Sequence, residues 1–236
     1  MLNNKVWVVI PAAGVGKRMQ ADRPKQYLTI GRYTVLEHTL HCFTQNPQVE
    51  GIVVVVSEDD PYWDELMLDT HVPIYRAVGG QERADSVLNG LVYLSEVLQV
   101  DESTLVLVHD AARPCLTQTD LNQLIRQASN SEQGALLAYP VRDTMKRASV
   151  DKQVLHTESR EHLWHALTPQ AALLGVLREA LEQGLMAGVV ITDEASALEA
   201  RGLKPRLVEG DALNIKITRP SDLALADILL QLAQRS

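Results

Sequence analysis

The run Gly51-Ile52-Val53-Val54-Val55-Val56 constrains the fold of this chain more than any other segment. A continuous β-branched run is typical of a strand buried on both faces, so other layers of structure must cover both sides of its sheet. Further apolar runs at 6–10, 74–78, 105–108 and 134–141 alternate with segments whose apolar residues recur at helical spacing. This alternation predicts an α/β fold, with a mostly parallel, twisted, Rossmann-like sheet and helices on both faces.

Helical spacing and two further strand patterns complete the predicted order of elements. The predicted helices lie at 34–43, 87–98, 117–128, 173–181, 192–200 and 221–232, and the further strands at 206–209 and 215–218. The segment 142–165 differs, because it is polar and has few large apolar residues. We interpret it as a β-arm that projects from the body and packs on a second subunit. Without repeats or linkers in the sequence, we expect a single domain over residues 1–236.

The composition excludes several classes of function. Of 236 residues, 46% are apolar and 22% are charged, which is ordinary for a soluble globular protein. The net charge of −8 argues against a general surface for nucleic acid or for an anionic membrane. Cys42 and Cys115 are too few for a disulfide framework, and no segment resembles a signal peptide or a membrane span. We therefore expect a cytoplasmic protein with reduced thiols.

A loop of small residues follows the first predicted strand. Pro11-Ala12-Ala13-Gly14-Val15-Gly16 leads directly into Lys17 and Arg18, and Lys25 follows a few residues later. The loop is not a Walker A motif, because Arg18 follows Gly16-Lys17, and Met19 replaces the third glycine of a dinucleotide fingerprint. Small residues let the backbone approach a ligand, and the cations can neutralise phosphate oxygens. The loop therefore predicts a triphosphate-binding site. The two glycines taken by themselves would fit an ordinary strand-to-helix turn equally well.

Two more polar clusters follow predicted strands. Gly79-Gly80-Gln81-Glu82-Arg83-Ala84-Asp85-Ser86 fits close contact with a nucleotide base, or alternatively a glycine turn with a helix cap. His109-Asp110-Ala111-Ala112-Arg113-Pro114 places a carboxylate where it could hold Mg²⁺ and a ribose hydroxyl, or alternatively cap a turn. His109 is interpreted as structural. Because ligands of such sheets bind beyond the carboxyl ends of the strands, we expect all three loops to converge.

A fourth group of polar residues lies near the end of the chain. If Ile215 to Thr218 is a strand, then Asn214, Lys216 and Thr218 share one face, and Lys216 is either a phosphate ligand or an edge charge. No nucleophile elbow and no zinc-binding helix motif occurs in the sequence. Glu194 and Glu199 are interpreted as the solvated face of a helix.

Jointly, these segments resemble the 2-C-methyl-D-erythritol 4-phosphate cytidylyltransferase family, which has a glycosyltransferase-A-like nucleotidyltransferase fold. The resemblance is carried by residues 11–14, 16, 18, 19, 24–27, 79, 80, 82–86, 108–114, 143, 144, 146, 168–170, 192–194 and 214–216. It implies transfer of CMP from CTP to 2-C-methyl-D-erythritol 4-phosphate, with release of pyrophosphate, in non-mevalonate isoprenoid synthesis. It also implies Mg²⁺ or another divalent cation as cofactor, and a homodimer joined through the β-arm at 142–165.

The resemblance implies a role for each matching residue. Catalytic roles fall on Arg18, Lys25, Arg160 and Lys216, where Arg160 could serve the neighbouring subunit. Nucleotide-binding roles fall on Pro11, Ala12, Ala13, Gly14, Gly16, Lys17, Gly80, Gln81, Arg83, Ser86, Asp110 and Ala111. Substrate-binding roles fall on Arg113, Thr144, Thr168 and Thr192, and Asp110 is also the metal ligand. Two alternatives are a cytidylyltransferase for another polyol phosphate, such as ribitol 5-phosphate, and a nucleotide-binding dimer without catalysis.

Overall fold

The computed structural model describes residues 5–14, 19 and 22–233. In chain order its strands are β1 (Val6–Pro11), β2 (Thr29–Ile30), β3 (Tyr33–Thr34), β4 (Val49–Val56), β5 (Ile74–Val78), β6 (Leu105–Val108), β7 (Ala135–Pro140), β8 (Met145–Ala148), β9 (Val154–Glu158), β10 (Trp164–Leu173) and β11 (Arg206–Glu209). The α-helices are α1 (Val35–Thr44), α2 (Arg83–Val92), α3 (Gln118–Ala128), α4 (Leu174–Met186), α5 (Glu194–Ala200) and α6 (Pro220–Ala233). Short 3₁₀ turns lie at Lys25–Tyr27 and Trp63–Glu65, and a π-turn extends α2 at Tyr93–Val97.

Seven strands form the central sheet, in the order β11-β7-β10-β6-β1-β4-β5. Neighbouring strands are parallel except around β10, which runs antiparallel to both β6 and β7. The prediction of a mostly parallel α/β sheet is therefore confirmed. Because β1, β5 and β6 are parallel to their partners, their carboxyl ends lie at one edge of the sheet, and the three polar loops all leave from that edge.

Side chains of the central strands alternate between two apolar cores. Val8 and Ile10 of β1 point to one core, where α1 and α3 pack through residues such as Phe43 and Leu124. Trp7 and Val9 point to the other core, which is covered by α2 and α4. The strand β4, predicted to be buried on both faces, has six fully or almost fully buried residues from Gly51 to Val56.

The predicted strand at 215–218 is wrong. This segment has no strand partner among the described residues. Instead, the backbone N–H of Ile217 donates to the carbonyl of Ala112 at 2.9 Å, and the Ile217 side chain is fully buried. The segment thus closes over the loop that follows β6, and it brings Lys216 to that loop without extending the sheet.

Within the described residues, the strands β8 and β9 of segment 142–165 pair with each other and with no other strand. Met145 of β8 lies opposite Glu158 of β9 in an antiparallel ribbon separate from the central sheet. Two apolar side chains of β9 are open to solvent, because Val154 is 63% and Leu155 62% exposed. Trp164 and His165, at the end of the predicted arm, belong to β10 and pair with β7. Within the described ranges, no helix is both long enough and apolar enough to cross a bilayer.

Candidate active site

The loops after β1, β5 and β6 meet around a cavity of about 260 Å³ at the carboxyl edge of the sheet. The described residues that line it are Pro11, Ala12, Ala13, Gly14, Lys25, Gln26, Gly80, Gln81, Glu82, Arg83, Ser86, Asp110, Ala111, Ala112 and Lys216. The expected convergence of the three loops is therefore what the structure shows. Gly16, Lys17 and Arg18, which the sequence analysis assigned to the same site, lie outside the described residues.

The buried side chain of Gln26 holds the first loop in place. Its amide nitrogen donates to the carbonyl oxygens of Ala12 and Gly14, at 2.6 and 3.1 Å, while the N–H of Ala12 donates to the carbonyl of Val55. The neighbouring Lys25 reaches across the cavity, where its ammonium group donates to the carbonyl of Ile217 at 2.9 Å. The short 3₁₀ turn at 25–27 therefore ties the first loop to the segment that carries Lys216.

The second loop depends on close backbone approach. A Cβ atom added to Gly79 would lie 2.6 Å from the Cβ of Ala13, so a larger residue there would push the first two loops apart. The hydroxyl of Ser86 accepts from the N–H of Gly80 and donates to the carbonyl of Glu82, each at 3.1 Å. Ser86 thus fixes Gly80 to the first turn of α2, and it also lines the cavity.

Asp110 is the electrostatic centre of the site. Its carboxylate oxygens lie 3.1 Å from Nε of Arg83, 3.3 Å from Nε of Arg113 and 2.9 Å from Nζ of Lys216. Burial alone would raise the pKa of Asp110, but the charges of Arg83, Lys216 and Arg113 outweigh it and hold the pKa well below its usual range. The carboxylate is therefore ionised, and three described cations converge on one anion beside the cavity.

Glu194 shows that the predicted solvated face of α5 is partly wrong. Its side chain is 2% exposed, and its two carboxylate oxygens accept from the guanidinium of Arg83 at 2.7 and 3.3 Å. Burial raises the pKa of Glu194, and the charge of Arg83 opposes that shift. Arg83 is consequently fixed from two sides, by Glu194 and by Asp110. Glu199 of the same helix is exposed, as expected.

Arg113 and Lys216 also line a neighbouring cavity of about 390 Å³. A second nitrogen of the Arg113 guanidinium donates to the carbonyl of Asn214 at 2.7 Å. Lys216 lines both cavities, so a group bound in the first cavity and a group bound in the second would both lie near its ammonium.

Four predicted site residues line neither cavity within the described part of the chain. Among the described residues that line the two cavities, Thr144, Arg160, Thr168 and Thr192 are absent. Thr144, Arg160 and Thr192 are exposed, and Arg160 donates to the carbonyl of Arg142 within the ribbon segment. Thr168 is buried in β10, where the pairing with β7 is interrupted between Ala166 and Gln170.

Two residues that hold the site together were not predicted from the sequence. Gln26 belongs to the segment 24–27, which carries the family resemblance. Its position directly after Lys25 was the available sequence signal for a role at the site. Glu194 carried a weaker signal, because a glutamate at the first position of a helix is usually exposed and favoured there by the helix dipole. Only the packing of α5 against α4 and β10 reveals that this carboxylate is buried.

Comparison with known proteins gives a consistent family match. Residues 6–232 match the sequence model of the family described as 2-C-methyl-D-erythritol 4-phosphate cytidylyltransferase. The enzymes of that name from Vibrio vulnificus and Vibrio cholerae are 55% and 56% identical, over 94% and 96% of this chain and 93% and 97% of their own.

Solved structures agree with the sequence comparison. The crystal structure of a 4-diphosphocytidyl-2C-methyl-D-erythritol synthase superimposes with a TM-score of 0.83 at 42% identity, covering 96% of this chain and 99% of that one. The Francisella tularensis 2-C-methyl-D-erythritol 4-phosphate cytidylyltransferase gives a TM-score of 0.82 at 36% identity, with coverage of 95% and 99%.

The burial of Glu194 leads to a stability prediction. Glu194→Gln removes the anion that faces Arg83, and we expect the free energy of unfolding to fall by roughly 2–3 kcal/mol in urea denaturation. This loss is smaller than that for a fully buried pair, because the Arg83 side chain is 30% exposed. The matched control is Glu199→Gln on the same helix, which should change stability by less than about 0.5 kcal/mol. Equal effects of the two substitutions would contradict this assignment.

Proposed function

This chain belongs to the 2-C-methyl-D-erythritol 4-phosphate cytidylyltransferase family, and from that premise we propose that it transfers CMP from CTP to 2-C-methyl-D-erythritol 4-phosphate. The products are 4-diphosphocytidyl-2-C-methyl-D-erythritol and pyrophosphate, within non-mevalonate isoprenoid synthesis. The structural observation that carries the proposal is the ion-pair cluster at the first cavity, where Asp110 pairs with Arg83 and Lys216 of the lining and with the adjacent Arg113. Such a concentration of fixed cations suits a ligand rich in phosphate.

The chemistry requires charge stabilisation more than proton transfer. An oxygen of the acceptor phosphate attacks the α-phosphorus of CTP, a new P–O bond forms, and the bond to the departing pyrophosphate breaks. The attacking oxygen is already anionic, so a general base is unnecessary. The barrier comes from the approach of two anions and from negative charge that builds up on the α-phosphate. Cations held in advance around that position lower this barrier.

We assign the described cations to separate parts of this reaction. Lys25 and Lys216 line the first cavity, where they would stabilise the α-phosphate and the incoming phosphate. Arg113 lines the neighbouring cavity with Lys216, which supports an acceptor-binding role for Arg113. The backbone of residues 11–14 and of Gly80 would face the nucleotide. Roles for Gly16, Lys17 and Arg18 follow from the family alone, and so do those of Thr168 and Thr192.

Asp110 is the proposed ligand for a divalent cation. Within the described part of the chain, no cluster of three or more potential metal ligands exists. A single ionised carboxylate nevertheless fits Mg²⁺, which commonly takes one or two protein carboxylates and completes its shell with substrate phosphates and water. Mg²⁺, when bound, would neutralise triphosphate oxygens. Asp110 already accepts from three cations, so a metal would share its oxygens with Lys216 and the arginines.

We further propose that the segment 142–165 completes the active site of a second subunit. Thr144 and Arg160 belong to this segment but do not line the cavities of their own protomer, within the described residues. The exposed apolar side chains of Val150, Val154 and Leu155 support burial against a partner. A cytoplasmic location is also part of the proposal, and it is supported by the free thiols of Cys42 and Cys115.

The experiment that tests the function measures pyrophosphate release from CTP and Mg²⁺. Parallel reactions contain 2-C-methyl-D-erythritol 4-phosphate or ribitol 5-phosphate as acceptor, and we expect release with the first. Lys216→Ala should lower kcat on the order of 10²–10³, because it removes one preorganised cation at the reacting phosphates.

The control is Lys204→Ala, which removes an exposed lysine that does not line this cavity and should leave turnover unchanged. Pyrophosphate release with ribitol 5-phosphate alone would contradict the assignment of 2-C-methyl-D-erythritol 4-phosphate as the acceptor. A Lys216→Ala enzyme with wild-type turnover would overturn the role of that lysine.

The arm proposal is tested by mixing two inactive variants. Arg160→Ala and Lys216→Ala dimers are each expected to be inactive. In a mixed dimer, one of the two sites would have a wild-type Lys216 and receive a wild-type Arg160 from its neighbour. Random exchange should therefore restore up to about a quarter of wild-type activity. Replacement of residues 144–160 by a short glycine linker should give a monomer in sedimentation velocity. A dimer after this replacement, or mixtures that stay inactive despite subunit exchange, would contradict the proposal.

A further inference from the structure

We propose that His109 is a positioning residue for the transferase reaction, held as a single imidazole tautomer with its proton on Nε2. In that form it would join the loop that carries Asp110 and Arg113 to Thr168 of β10. The inference rests on the proposed function for its catalytic consequence, and on hydrogen-bond geometry for the tautomer.

His109 lies directly after β6, and its ring is completely buried. Nε2 lies 3.0 Å from the carbonyl oxygen of Arg113, and Nδ1 lies 3.0 Å from the hydroxyl oxygen of Thr168. Phe43 of α1 covers the ring in an edge-on contact, with 5.1 Å between ring centroids. Both ring nitrogens are thus occupied, and the ring does not line either cavity within the described residues.

The partners of the ring determine where its proton lies. A carbonyl oxygen can only accept, so Nε2 must carry the hydrogen that is donated to Arg113. Complete burial disfavours a charged ring, so the imidazole is neutral and has one N–H. Nδ1 is then an acceptor, and the hydroxyl of Thr168 must donate to it. The same hydroxyl oxygen accepts from the N–H of Asp110 at 3.1 Å.

These bonds form a directed chain from Asp110, through Thr168 and His109, to Arg113. A direct backbone hydrogen bond also joins the two ends of the polypeptide loop, because the N–H of Arg113 donates to the carbonyl of Asp110 at 3.1 Å. Thr168 is fixed further, because its carbonyl accepts from the side chain of Asn214 at 2.7 Å. Each donor in the chain has one acceptor, so the groups cannot rotate independently. This series of hydrogen bonds fixes the backbone from which the Asp110 and Arg113 side chains project.

This arrangement also changes the role expected for Thr168. The family resemblance assigns Thr168 to substrate binding, yet the hydroxyl proton is committed to His109 and the residue is 5% exposed. We infer that the main role of Thr168 is structural, because its hydroxyl connects β10 to the loop after β6 by hydrogen bonds. A displacement of about 1 Å at such a support can cost on the order of 10² in rate, because reacting groups tolerate little misplacement.

The tautomer is tested directly on the wild-type protein labelled with ¹⁵N-histidine. At neutral pH, two-bond ¹H–¹⁵N correlation spectra should show one buried histidine with a protonated Nε2 and an unprotonated Nδ1. Comparison with His109→Gln assigns that signal. A proton on Nδ1, or averaging between the two tautomers, would overturn the inference, whatever the enzyme's activity proves to be.

The positioning role is tested by kinetics on folded variants. His109→Phe keeps the ring shape but removes both polar atoms, and we expect kcat to fall on the order of 10². His109→Gln can still donate to the Arg113 carbonyl, and it should recover at least tenfold of that loss. His71→Phe, at an exposed histidine, is the control and should resemble wild type.

A double-variant comparison makes the test independent of a simple loss of folding. If His109 and Thr168 act as one unit, His109→Phe combined with Thr168→Val should lose little more activity than the worse single variant. If the fold losses in kcat of the two single variants multiply in the double variant, the shared role is overturned. A folded His109→Phe enzyme whose kcat is within threefold of wild type would overturn it as well. Absence of CMP transfer by the wild type would instead refute the proposed function and leave the spectroscopic test standing.

Discussion

The ion pairs of Asp110 are the interaction on which the rest of the site depends. A carboxylate with a side chain only 9% exposed would be costly to ionise alone, because burial removes it from water. Arg83 from α2, Arg113 from the same loop and Lys216 from the segment before α6 compensate for that cost. These cations are thereby held in fixed positions beside the two cavities. A phosphate-rich ligand then meets a charge distribution that needs little rearrangement.

The cluster also explains why distant parts of the chain are joined at one edge of the sheet. Arg83 is shared between Asp110 and Glu194, so α5 is connected electrostatically to the loop after β6. The segment that carries Lys216 is fixed to the same loop by the backbone bond from Ile217 to Ala112. Polar side chains such as Gln26 and the His109–Thr168 pair hold the surrounding backbone. The two apolar cores provide the rigid layers on which these loops rest.

The sequence predicted the elements whose pattern is local. The β-branched run at 51–56 indicated a doubly buried strand, and the rule for parallel strands predicted that the loops containing Pro11, Gly80 and Asp110 would converge. Long-range packing could not be predicted in the same way. The antiparallel direction of β10 depends on its neighbours β6 and β7. The irregular path of 215–218 and the burial of Glu194 likewise depend on surfaces that no local pattern describes.

Replacement of Asp110 by asparagine is the most direct test of this central role, measured as the free energy of unfolding with and without CTP and Mg²⁺. Asparagine keeps the shape but removes the charge, so we expect a loss of roughly 2–3 kcal/mol at pH 7 and no further stabilisation by the nucleotide. Because the native pKa of Asp110 is lowered, its contribution is present above about pH 4 and is lost as the pH falls below that value. The difference between wild type and variant should therefore shrink in acid. An Asp110→Asn protein as stable as wild type and equally stabilised by CTP would contradict the central role of this carboxylate.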